Sequence, residues 1–76
     1  MEFKIMLETV QDAAMFVTKM ERISGDADLV LGSKAVDAKS LIGVLQLGVG
    51  KETVLVLHQE QEESAVRRLL KDYMVN

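Results

Sequence analysis

The residue best placed for chemistry in this 76-residue chain is Ser40. It stands in the run Val36-Asp37-Ala38-Lys39-Ser40-Leu41-Ile42-Gly43-Val44-Leu45-Gln46-Leu47-Gly48-Val49-Gly50, ahead of a short apolar segment that a glycine closes. A serine there is an N-cap, its hydroxyl accepting a bond from an amide left unpaired in the first helical turn. Gly48 is read as the helix stop. His58 is the single histidine. Metal binding and acid–base catalysis both need partners arranged around such a ring, so a solvated or hydrogen-bonded role is assigned to it. Glu60, Glu62 and Glu63 read as a solvated loop and a favourable helix start, not as paired catalytic carboxylates. Gly48-Val49-Gly50-Lys51 lacks the spacing of a phosphate-cradling loop. No enzymatic centre, cofactor site or metal site is expected.

The totals narrow the setting. A chain of this length is one domain, residues 1–76, and buries only about 60% of the surface its unfolded form exposes, leaving little room for an enclosed active site. Two Phe, one Tyr and no Trp leave the core to Val, Leu, Ile, Met and Ala. There is no cysteine, hence no disulfide framework and no thiolate chemistry, which suits a reducing compartment. The longest apolar runs, such as Val54 to Leu57, fall far short of the roughly 20 residues of a membrane span, and the first residues lack the pattern of a signal peptide. A cytoplasmic protein is expected, with neither secretion nor membrane insertion. A formal net charge of −3, without basic residues interleaved with aromatics, argues against nucleic acid as a partner.

The elements that must position Ser40 follow from periodicity. Glu2 to Glu8 alternates, placing Phe3, Ile5 and Leu7 on one face of a strand. Thr9 then caps a helix over Val10 to Ile23 with Val10, Ala13, Ala14, Val17 and Met20 at helical spacing, and Asp12 suits its first turn. Ser24-Gly25-Asp26 is a turn with Gly25 as the left-handed stop. Gly32-Ser33 links strands Asp26–Leu31 and Lys34–Asp37 through a type II′ hairpin. The Ser40 helix follows, with Val44 and Leu47 expected inside and Leu41, Ile42 and Leu45 partly exposed, since so short a helix cannot turn all five to one sheet. Thr53 to His58 reads as the most buried strand, central or covered on both faces. Glu62 to Met74 closes the chain as a helix presenting Ala65, Val66, Leu69, Leu70 and Tyr73 on one face. The order β-α-β-β-α-β-α predicts an α+β open-faced sandwich, a four-stranded antiparallel sheet with three helices on one face.

The run Ala38-Lys39-Ser40-Leu41-Ile42-Gly43-Val44-Leu45, continuing to Leu47-Gly48-Val49, together with Ala13-Ala14, Phe16-Val17, Ala65-Val66 and this topology, resembles the HPr family. These are the histidine-containing phosphocarrier proteins of the bacterial sugar phosphotransferase system, and the likeness is greatest to the Gram-positive form. In that family a loop bearing Gly-Leu-His-x-Arg-Pro precedes the first helix, and its histidine accepts phosphate at the helix N-terminus. Here the strand runs almost directly into the helix, so that Thr9 occupies the position matching the histidine, Gln11 the arginine and Asp12 the proline. A threonine hydroxyl is weakly nucleophilic and forms a stable ester, and Asp12 repels phosphate, so the phosphohistidine relay is expected to be lost.

What the resemblance keeps is the serine. In Gram-positive HPr and in the catabolite-repression relative that lacks the histidine, the matching serine is phosphorylated by a regulatory kinase. The resemblance therefore implies Ser40 as a regulatory phosphosite, assisted by the helix start and by Lys39, with Leu41, Ile42 and Leu45 as the docking patch beside it. The partners implied are proteins: an HPr kinase, a catabolite-control regulator or phosphotransferase system components. Two alternatives stand beside this regulatory reading. One is a phosphoryl carrier using Thr9 or His58 as acceptor; the other is a structural relative serving an unrelated partner or a homodimer.

Overall fold

Eight short elements build the molecule around Phe16. The structure, a computed structural model, describes residues 1–75. Strands β1 (Glu2–Leu7), β2 (Ala27–Leu31), β3 (Lys34–Asp37) and β4 (Lys51–Leu57) and helices α1 (Val10–Met20), α2 (Leu41–Leu47) and α3 (Glu63–Leu69) follow in the order β1-α1-β2-β3-α2-β4-α3, and a 3-10 turn follows at Lys71–Tyr73. The strands form one antiparallel sheet in the order β1-β4-β2-β3, with Phe3 opposite Leu55, Leu55 opposite Leu29 and Leu29 opposite Val36. That row and its inward neighbours Ile5, Leu7 and Leu57 form one core with the buried helix residues Ala13, Phe16, Met20, Val44 and Val66 and with Leu70 just past α3. The opposite face carries Glu2, Lys4, Val54, Val30 and Asp28, exposed or half-buried. The expected open-faced sandwich is therefore the fold. The one buried polar side chain among the described residues, Thr53, donates its hydroxyl to the Ile5 carbonyl at 2.9 Å.

Strand β4 takes the central position, between β1 and β2, and only one of its faces is covered. It begins two residues earlier than its apolar run, because Lys51 and Glu52 already pair with Leu7 and Met6. His58 lies just beyond its end, although its amide still donates to the Asp26 carbonyl at 3.1 Å. The hairpin between β2 and β3 has Leu31 opposite Lys34, leaving the two-residue loop Gly32-Ser33. Only Gly32 has positive φ, 61°, which excludes the type I′ turn and fits type II′.

Three expectations about the helices need correction. Helix α1 stops at Met20, with Glu21 as its C-cap, so the left-handed Gly25 (φ 83°) belongs to the following turn. Its buried stripe is Ala13, Phe16, Val17 and Met20, not the set that includes Val10 and Ala14. At about 100° per residue, burying the large Phe16 turns the helix so that Val10 and Ala14 fall to the edge, and Val10 is 60% exposed. Helix α3 ends at Leu69 and does not reach Met74. Met74 instead bridges Ile5, and the Val75 amide donates to the Lys4 carbonyl at 2.9 Å, which demands extended chain along the outer edge of β1. The same rotation argument leaves Ala65 exposed, while Val66, Leu70 and Tyr73 are buried and Leu69 is half-buried. Among the described residues no helix is long and apolar enough to cross a membrane.

Candidate functional site

The segment leading into α2 is shaped by its own side chains. Asp37 accepts the Lys39 amide at 2.9 Å through its carboxylate and the Ser40 amide at 3.0 Å through its carbonyl, turning the chain sharply after β3. Ser40 is extended (φ −105°, ψ 114°), and its hydroxyl oxygen accepts the Gly43 amide at 3.2 Å, the capping bond its sequence position implies. Gly43 is small for a reason: a Cβ there would stand 3.3 Å from Cβ of Val36, so its hydrogen lets α2 settle on β3. Gly48 closes the helix with φ 103°.

Packing then divides the helix as expected. Val44 and Leu47 are 0% and 5% exposed, whereas Leu41, Ile42 and Leu45 are 39%, 72% and 37% exposed. Ser40 itself is half-buried. Three large aliphatic side chains thus stand exposed within two turns of the serine that caps their helix. Lys39 is oriented differently from expectation. Its ammonium donates to the Ile23 carbonyl, just past the end of α1, so it satisfies an orphaned backbone acceptor and ties α2 to α1 instead of pointing at Ser40.

The start of α1 is also self-capped. The Thr9 hydroxyl oxygen accepts the Asp12 amide at 3.0 Å, and the Asp12 carboxylate accepts the Glu8 amide at 3.1 Å. Glu8, Asp12 and Asp72 line a hollow of about 310 Å³ there, with Tyr73 and Met74 in its wall. Burial pushes the Tyr73 phenol up from its usual range, and the Asp12 and Asp72 charges add to the shift. Sequence inspection missed the contribution of Asp72, which arrives from the far end of the chain. It also passed over Met15, 48% exposed on α1, whose angular position opposite the Phe16 stripe was the available signal.

His58 is at the other end of the sheet from Thr9, because β1 and β4 run antiparallel with Leu7 beside Lys51 and Glu2 beside Val56. Its Nε2 is 2.8 Å from a carboxylate oxygen of Asp28, and Asp26 and Asp37 border the same hollow. Among the described residues no group of three or more His, Cys, Asp or Glu side chains is placed to hold a metal ion.

Comparison with known proteins agrees with this architecture. The family model described as "PTS HPr component phosphorylation site" matches residues 9–73. The chain is 37% identical over 59 residues to the HPr-like protein Crh of Bacillus subtilis, covering 75% of this chain and 69% of that one. It is 36% identical over 61 residues to the phosphocarrier protein HPr of Buchnera aphidicola, covering 78% and 72%. Among solved structures, that of HPr-C-His from Thermoanaerobacter tengcongensis superposes with a TM-score of 0.72 at 30% identity, covering 95% of this chain and 85% of that one. With the family model spanning most of its length and its sheet and helices arranged alike, the chain belongs to the HPr family of phosphotransferase system proteins.

Proposed function

We propose that this HPr-family chain is a regulatory docking module, which binds a partner protein through Leu41, Ile42 and Leu45 and is switched by phosphorylation of Ser40, having lost the phosphohistidine relay. The observation that carries the reading is the exposure of those three aliphatic side chains directly after a serine that caps their helix. Apolar groups that the core does not use are the material of an interface. A phosphate on Ser40 would meet the unpaired amides of the first turn, in a helix whose first turn holds no acidic residue. Lys39 can join it only by releasing the Ile23 carbonyl, so the switch would act on the α1–α2 tie as well as on charge.

The start of α1 is unsuited to carrying phosphate. With Thr9 matching the family's histidine, the acceptor would be a threonine oxygen already holding the Asp12 amide, and Glu8, Asp12 and Asp72 would oppose a dianion. His58 fares no better, with Asp28 on its ring and Asp26 and Asp37 close by. The test is calorimetry with a catabolite-control regulator as the probe. The Ser40-phosphorylated protein should bind, Ile42→Asp phosphorylated to the same extent should bind at least about tenfold more weakly, and the unphosphorylated protein should not bind measurably. Equal binding by phosphorylated wild type and Ile42→Asp would remove α2 from the interface.

A further inference from the structure

The end of α1, the turn that follows it and α3 (Glu63–Leu69) border a groove of about 410 Å³ lined by Lys19, Arg22, Ala65, Arg68 and Leu69. Every charged residue in that lining is a cation, on a chain whose formal net charge is −3. Lys19 already has neighbours: its ammonium lies 5.3 Å from the Tyr73 ring centre and 3.9 Å from Asp72. Arg67, adjacent in sequence, is already committed, bonded to Glu63 at 3.0 Å and lying 5.2 Å from the Phe3 ring centre. Arg22 and Arg68 are exposed, and among the described residues neither makes an ion pair or a side-chain hydrogen bond. Two guanidinium groups without ion-pair partners therefore line one groove together with the exposed Ala65 and the half-buried Leu69.

We propose that this groove is a second docking surface, for an acidic amphipathic segment of a partner protein. Charge complementarity sets the sign of the partner, and magnitude sets its kind. Exposed ion pairs contribute little each, because water and salt screen them, so three cations in an open groove leave a free small anion bound more weakly than millimolar. A peptide chain adds apolar contact with Ala65 and Leu69, and reaches Met15, which borders Lys19 and Arg22 on their other side. Planar guanidinium forks also suit carboxylates held in a row on a helix. The α2 segment contributes no residue to this groove, so the proposal stands or falls apart from the Ser40 reading.

The experiment is an amide chemical-shift titration of the full isotopically labelled protein with a synthetic helical peptide carrying Glu beside Leu along one face. A matched peptide with Lys for Glu, and inorganic phosphate, serve as controls. Saturable shifts are expected at Lys19 to Arg22 and Ala65 to Leu69 with the Glu peptide alone. R22E/R68E should weaken them about tenfold, and Ile42→Asp should leave them unchanged. If the charge reversal unfolds the protein, R22Q/R68Q should still weaken binding at least threefold. The proposal is overturned by an absence of saturable shifts, by shifts centred on Leu41 to Leu45, by an equal response to the Lys peptide, or by inorganic phosphate reproducing the same shifts at the same concentration.

Discussion

The two helix starts of this molecule are built alike and end up with opposite chemical character. Thr9 at α1 and Ser40 at α2 each accept the amide three residues ahead, at 3.0 and 3.2 Å. At α1 the first turn holds Asp12, which folds back on the Glu8 amide, and Asp72 arrives beside it. At α2 there is no acid in the first turn, and the next side chains out are Leu41 and Ile42. A hydroxyl cap alone thus distinguishes nothing; what surrounds the cap decides whether the helix start can host an added anion. Proteins of the HPr family are phosphocarriers, and on our reading the capacity to hold phosphate has passed in this chain from the first helix to the second.

That comparison can be broken most forcefully from inside α2. Leu47→Ala should cost about 3 kcal/mol in denaturant unfolding, because Leu47 is buried, whereas Leu45→Ala, two residues away, should cost under about 1 kcal/mol. Equal costs would mean that α2 is not divided into core and surface faces. The caps should then be equivalent. Thr9→Ala and Ser40→Ala should each lose about 1 kcal/mol, with only the second abolishing modification by a serine kinase. Ile42→Asp should change stability by no more than about 0.5 kcal/mol, sharpening the distinction between a docking residue and a structural one.

The smallest effect tests the acidic character of the α1 start. Because the folded Tyr73 phenol keeps its proton above the ordinary value of about 10, the unfolded chain ionises first as pH rises. Its contribution to stability is complete below that pH and is lost as pH climbs through the folded value. Tyr73→Phe should therefore show a shallower alkaline fall in stability than wild type, measured between pH 9 and 11.

How far the sequence could foresee this depends on the range of the interaction. Alternation in β1, the cap at Ser40, the Gly32-Ser33 hairpin and the division of α2 into Val44 and Leu47 against Leu41, Ile42 and Leu45 are local consequences of spacing, and all were legible. The rotation of α1 was not, because helical spacing admitted both the Val10–Ala14 side and the Phe16 side, and only the volume of Phe16 against the sheet decides between them. The extended turn at Met74 was also hidden, since its cause is a backbone bond to Lys4 from the far end of the chain. For the same reason the bond from the Lys39 ammonium to the Ile23 carbonyl, 16 residues away, leaves no trace in the local spacing around Ser40.

The claim that phosphate belongs at α2 and not at α1 is tested most directly by site-resolved mass spectrometry of the protein after exposure to both donor systems, enzyme I with phosphoenolpyruvate and an HPr kinase with ATP. A stable phosphate ester at Ser40 from the kinase, with Thr9 and His58 unmodified, is the predicted result. An acid-labile phosphoryl group on His58, or phosphate on Thr9, acquired from enzyme I would contradict it.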